Sequence, residues 1–150
     1  MPAMLTFGEK EESIEYQPRV GCYGIIFNED RTKVGIVNIN DRYFLPGGGK
    51  EGNESDVDCL KREVLEEMGC DVQVDEFIGK AQRYFYSQHY HDYYLSIGHF
   101  YTCQLGEKIM EPIEEDHVYE MVEIKVAIEK LIHEHQSWAI QHALGLNGSF

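Results

Sequence analysis

The chain has 150 residues, a length that fits one domain with a sizeable buried core. Thirteen basic side chains against 27 acidic ones give a formal net charge of −14. That charge disfavours long nucleic acid and an anionic membrane face as partners, and admits a small phosphorylated molecule if a bound cation reverses the local sign.

After a polar lead-in rich in glutamate, Val20 to Phe27 is apolar, β-branched and aromatic, the composition of a buried strand. Asn28-Glu29-Asp30 reads as a turn, Lys33 to Ile39 as a second strand, and Asn40-Asp41 as a turn into Tyr43-Phe44-Leu45. Pro46-Gly47-Gly48-Gly49 should end that segment, since proline cannot continue a ladder and glycines free the backbone. From Ser55 to Met68 the period becomes helical, with Val57, Leu60, Val64 and Met68 as the apolar stripe and Gly69 as the stop. Val72 to Ile78, Gln82 to Tyr86 and Tyr93 to Leu105 then read as strands, with Gln88 to Asp92 as a polar interruption. Val118 to Ile124 alternates as a further strand. Val126 to Ile132 and Ser137 to Leu146 carry helical spacing, with Trp138, Ile140, Ala143 and Leu144 as apolar candidates in the second. Strands first, a helix in the middle and helices at the end predict an α/β fold, an α/β/α sandwich with a mixed β-sheet in one domain.

Cys22, Cys59, Cys70 and Cys103 are widely spaced and contain no Cys-x-x-Cys pair, which argues against a zinc cage and a disulfide framework and for reduced, buried thiols. Residues Met1 to Phe7 hold no basic region followed by a long apolar run, and no stretch reaches the roughly 18 apolar residues of a membrane span. A cytoplasmic protein is expected, as monomer or homodimer.

The residues that carry chemistry lie between Gly47 and Cys70. On a helix advancing about 100° per residue, Glu63, Glu66 and Glu67 fall within an arc of roughly 100°, centred about 115° from the apolar stripe. Like charges so placed destabilise a helix by a few tenths of a kcal/mol per pair, and near its C-terminus they also oppose the macrodipole. A cation relieves both costs. Carboxylates without thiols or clustered imidazoles suit Mg²⁺ or Mn²⁺, and Gly47-Gly48-Gly49 allows backbone to approach a metal or phosphate closely. An acidic, solvated helix face and an unliganded turn are the alternatives these two features leave open when taken singly.

Together they form a specific pattern. Gly48-x5-Glu54-x7-Arg62-Glu63-Val64-x-Glu66-Glu67-x-Gly69-Cys70 resembles the Nudix box, with all seven fixed letters matched and Cys70 standing in the final aliphatic slot. With this chain's content of Gly, Glu and Arg, a chance match is on the order of 10⁻⁵ over the whole length. The resemblance implies a hydrolase that cleaves a diphosphate linkage in a nucleoside diphosphate derivative. By position it implies Glu63, Glu66, Glu67 and the Gly47 carbonyl as metal ligands, Arg62 orienting a carboxylate, and Glu54 supporting the site. Gly48 and Gly49 would meet the substrate. In the family the general base varies, so Glu63 and a later loop carboxylate, here Glu115 from Glu114-Glu115-Asp116, are both candidates. A non-catalytic nucleotide sensor of the same fold is the alternative function.

Five tyrosines between Tyr84 and Tyr94 suggest stacking on a nucleobase. Some family members that cleave dinucleoside polyphosphates carry a tyrosine about 16 residues past the box, where Tyr86 stands, which tilts the substrate towards that class. His89-x-His91-Asp92 and His133-x-His135 lack a third well-spaced ligand and are assigned no role.

Overall fold

The computed structural model describes residues 4–145. In chain order it contains β1 (Leu5–Phe7), β2 (Gln17–Ile25), β3 (Lys33–Ile39), β4 (Arg42–Phe44), β5 (Gly47–Gly49), α1 (Asp56–Met68), β6 (Cys70–Ser87), β7 (Asp92–Lys108), β8 (His117–Glu123), α2 (Ile124–Lys130) and α3 (Glu134–Ala143). The strands form a mixed five-stranded sheet in the order β1-β6-β7-β2-β5 and a three-stranded antiparallel sheet in the order β4-β3-β8. Within the larger sheet β2 runs parallel to β7 and antiparallel to β5.

Side-chain alternation along β2 shows how the layers are built. Cys22 packs with Cys59, Leu60, Val64, Met68, Val72 and Cys103 beneath α1, whereas Ile25 packs with Phe100, Ala139 and Ile140 beneath α3. Successive strand residues thus feed two separate cores on opposite faces, and the expected α/β/α sandwich results. Helix α1 starts where Ser55 accepts a hydrogen bond from the Asp58 amide, and it stops at Gly69 in a left-handed conformation.

Three expectations change, and one strand is new. The two strands at Val72 to Ile78 and Gln82 to Tyr86 are one long β6, whose register against β7 slips between Val74 and Phe77 and again before Gly79. Bulges of this kind break side-chain alternation without ending the strand. The glycines that were to end a strand instead form β5, paired with Gly21–Tyr23 through backbone bonds that need no side chain. Helix α1 is also rotated from the anticipated stripe, with Val57 41% exposed while Cys59 and Glu67 are buried. This turns the carboxylate side of the helix inward. Lastly, β1 pairs in parallel with Ala81–Arg83 of β6, and three residues are too few to show a period. Of the terminal helix, Leu146 lies outside the described residues, Ile140 is buried, and Trp138, Ala143 and Leu144 pack partly buried on the core.

Candidate active site

Glu67 is only 6% exposed, and one of its carboxylate oxygens accepts a hydrogen bond of 2.9 Å from the Gly47 amide. Gly47 has φ +133°, and a Cβ there would lie 2.1 Å from the Cys22 carbonyl oxygen. Both the dihedral and the space require glycine. A Cβ on Gly48 would fall 2.6 Å from the Glu63 carboxylate. The backbone of β5 therefore lies directly against the inward-turned face of α1.

Arg62 ties this arrangement together. Its guanidinium donates to both oxygens of Glu54, at 2.6 and 3.0 Å, to the Gly49 carbonyl at 2.9 Å, to Glu63 at 3.0 Å and to Glu66 at 3.3 Å. Glu54 in turn accepts from the Glu51 amide at 2.8 Å. A planar fork serves this many fixed acceptors where a point-charge ammonium could not.

The NUDIX domain profile matches residues 15–142. The chain belongs to the NUDIX family. It is accordingly a Nudix-type hydrolase, and the box runs from β5 through the loop holding Glu54 and along α1 to its cap Gly69. The E. coli ORF135 protein, solved in solution, superposes with a TM-score of 0.67 at 16% identity, covering 94% of this chain and 97% of that one. An ADP-ribose pyrophosphatase from Streptococcus suis gives 0.60 at 25% identity, covering 89% and 92%. A NUDIX hydrolase from Nitrosomonas europaea gives 0.64 at 17%, covering 86% and 90%. No curated protein sequence matches the chain.

The electrostatics of the Nudix helix are uneven. Arg62 holds the Glu54 carboxyl down to about 2, chiefly by hydrogen bonding. Burial raises Glu63 against the opposing pull of Arg62. Burial also raises Glu67 well above the ordinary carboxylate range, the Gly47 amide opposing it and the charges of Glu63, Glu114 and Glu66 adding to it. The Arg62 guanidinium pairs with Glu54, Glu63 and Glu66, whereas the most buried carboxylate, Glu67, is held by the Gly47 amide. A donor set of hard oxygens with excess negative charge fits a divalent cation of the Mg²⁺ type.

The segment after β7 closes over this end of α1. The Ile113 and Glu114 amides donate to the Glu66 carbonyl at 2.9 and 3.0 Å, satisfying an orphan acceptor of the last turn. This sets His117 Nε2 3.8 Å from Glu67, with Nδ1 3.0 Å from Asp116. Glu115, chosen from the sequence, is exposed, whereas the half-buried Glu114 acts on Glu67 and groups with Asp116 and His117. The sequence singled out the loop Glu114-Glu115-Asp116 but nothing local favoured Glu114 over Glu115, and His117 had no signal, because their place depends on how the loop folds back.

Tyr86 is 43% exposed and packs edge-on against Tyr93 at 4.9 Å. Its register partner Tyr93 lies six positions along β7 from His99, which is level with Cys22 and hence Gly48. At about 3.3 Å per residue the separation along the sheet is roughly 20 Å. The structure does not bring Tyr86 to the carboxylates. No helix among the described residues is long and apolar enough to cross a membrane.

Proposed function

We propose that this Nudix hydrolase cleaves a phosphoanhydride linkage in a small nucleoside diphosphate derivative in the cytoplasm, with Mg²⁺, or Mn²⁺ in its place, as the cofactor. The observation that carries the reading is the buried Glu67 carboxylate, fixed by the Gly47 amide and crowded by the like charges of Glu63, Glu66 and Glu114. Glu63, Glu66, Glu67 and the Gly47 carbonyl are the residues to hold the cation. When bound, such an ion neutralises phosphate oxygens and aids activation of water, which is most of what phosphoanhydride hydrolysis asks of an enzyme.

The protein's own part is positioning. Arg62 and Glu54 fix the rotamers of the helix carboxylates, and Gly48, with no side chain, lets the β5 backbone lie against Glu63, so that substrate phosphate would meet the Gly48–Gly49 edge and the carboxylates together. Glu63, partly desolvated and raised, is a suitable general base. From the following loop Glu114 suits a supporting role better than Glu115, because it is the one that acts on Glu67. The lean towards dinucleoside polyphosphates rested on Tyr86, and its distance from the carboxylates leaves the substrate class broader. Nucleotide sugars such as ADP-ribose belong in the first screen, given the pyrophosphatase of that type at 25% identity.

The test is a panel of nucleoside diphosphate derivatives incubated with the protein and Mg²⁺, with products identified by mass. Release of a nucleoside monophosphate or a similar phosphate product, abolished by Glu67→Gln, is the expected result. Turnover that persists fully in chelator removes the reading.

A further inference from the structure

The spacing of the cysteines argues against a zinc cage, but the fold brings two of them together. Cys22 on β2 and His99 on β7 are register partners in a parallel pair, so their side chains leave the same face of the sheet, the one α1 covers. Asp56 opens α1 above them, its Oδ2 3.0 Å from His99 Nδ1, and Cys59 follows one helical turn later. One donor atom from each of Cys22, Asp56 and His99 lies within 4.8 Å of the others. The Cys59 thiol adjoins that of Cys22.

We propose that this pocket between sheet and helix is a second metal site, which takes a borderline-soft divalent ion of the Zn²⁺ class. Cys22, Asp56 and His99 are the ligands, with Cys59 in reach as a fourth. Thiol, imidazole and carboxylate are the donors Zn²⁺ uses, whereas Mg²⁺ avoids sulfur. A tetrahedral Zn²⁺ site places its ligand atoms roughly 3.3 to 3.8 Å apart, so the pocket needs to contract by no more than about 1.5 Å. On binding, Cys22 gives up its thiol proton, and the His99 ring carries its proton on Nε2 so that the Nδ1 lone pair can coordinate.

Outer partners are already in place. The Lys50 ammonium donates to Asp56 Oδ1 at 2.9 Å and the Tyr101 hydroxyl to Oδ2 at 2.6 Å, which orients the carboxylate much as second-sphere groups do around zinc. Asp56 and His99 are only partly buried, so an ion can enter from their side while Cys22 closes the inner wall. The site shares no ligand with the acidic one, and Asp56 and Glu67 stand eleven residues apart on α1, roughly 16 Å along its axis. Cys59 also lies 3.5 Å from the Gly48 carbonyl, which links the pocket to the glycine turn.

Co²⁺ is the probe, added at one equivalent to the reduced protein with excess Mg²⁺ present to occupy the carboxylate site. We expect a thiolate-to-Co²⁺ charge-transfer band in the near ultraviolet with strong tetrahedral bands in the visible, bleached by Zn²⁺. The ultraviolet band should weaken in Cys22→Ser and vanish in Cys22→Ser/Cys59→Ser, and His99→Gln should weaken Co²⁺ binding at least about tenfold. No band in the wild-type protein, or one unchanged in Cys22→Ser, overturns the proposal. If circular dichroism shows that Cys22→Ser does not fold, unchanged Co²⁺ affinity in His99→Gln overturns it instead. None of these readouts depends on turnover, so the outcome is independent of the hydrolase reading.

Discussion

Arg62 and Glu54 are joined by two hydrogen bonds, 2.6 Å from Nε and 3.0 Å from Nη2, across the gap between the start and the middle of the Nudix box. This pair fixes the guanidinium so that its remaining nitrogen faces Glu63 and Glu66. Arg62→Lys keeps the charge but cannot make the fork. Turnover of the variant should fall by about 10² with the fold intact, and Glu54→Gln should lose a comparable amount. Combining the two should cost far less than the product of the single losses, because both act on one geometry. Steady-state kinetics of the three variants test this, and fully additive losses would show that the residues act separately.

Two adjacent glycines should fail in different ways. Gly47→Ala meets a strained φ and the Cys22 carbonyl oxygen, and should destabilise the protein by about 2–3 kcal/mol in urea unfolding. Gly48→Ala meets the carboxylate end of the Glu63 side chain instead of backbone. Its Tm should hold within a few degrees while Mg²⁺ affinity and turnover drop at least about tenfold. Equal loss of stability in the two variants would contradict this division.

Acid should weaken the protein through its second core. His135 is fully buried with Nε2 3.2 Å from Ser96, and His133 lies 3.0 Å from an Arg83 nitrogen. Burial lowers them to about 3 and about 4, with the Arg83 charge adding to both and His133 adding to His135. Their folded-state values lie below the unfolded value near 6.5, so the unfolded chain binds more protons once the pH falls below that point. Stability should therefore be flat in this contribution above about pH 7 and fall between 6.5 and about 4, by up to roughly 1.4 kcal/mol per pH unit for each histidine. Urea midpoints across that range check it, and a His133→Gln variant should show a shallower fall.

The Nudix helix was legible from sequence because its information is local. Ser55, the period of Leu60, Val64 and Met68, and Gly69 fix its ends and one face. Its rotation was not legible, since burial of Glu67 in place of Val57 depends on Gly47, twenty residues earlier, offering an amide. The same limit applies to the pairing of Cys22 with His99 and to the fold-back that puts Glu114 and His117 beside α1. Each is a contact between distant segments that no period or propensity encodes.

The loop after β7 offers a paired comparison. Glu114→Gln should lower turnover several-fold and weaken divalent-cation binding, whereas Glu115→Gln, at an exposed position, should leave both within about a factor of two. Tyr86→Ala should likewise keep kcat/KM near the wild-type value. A larger effect from Glu115→Gln than from Glu114→Gln would restore the residue the sequence favoured.

The central claim is that Glu67 helps to seat a divalent cation against the glycine turn. Calorimetric titration of Mg²⁺ into the wild-type protein and into Glu67→Gln tests it without knowledge of the substrate. The amide oxygen of glutamine can still accept from Gly47, so the variant should fold. Its Mg²⁺ affinity should fall at least about tenfold, or 1.4 kcal/mol. Equal affinity in the two proteins, or no Mg²⁺ binding by the wild type at saturating concentration, would contradict the account.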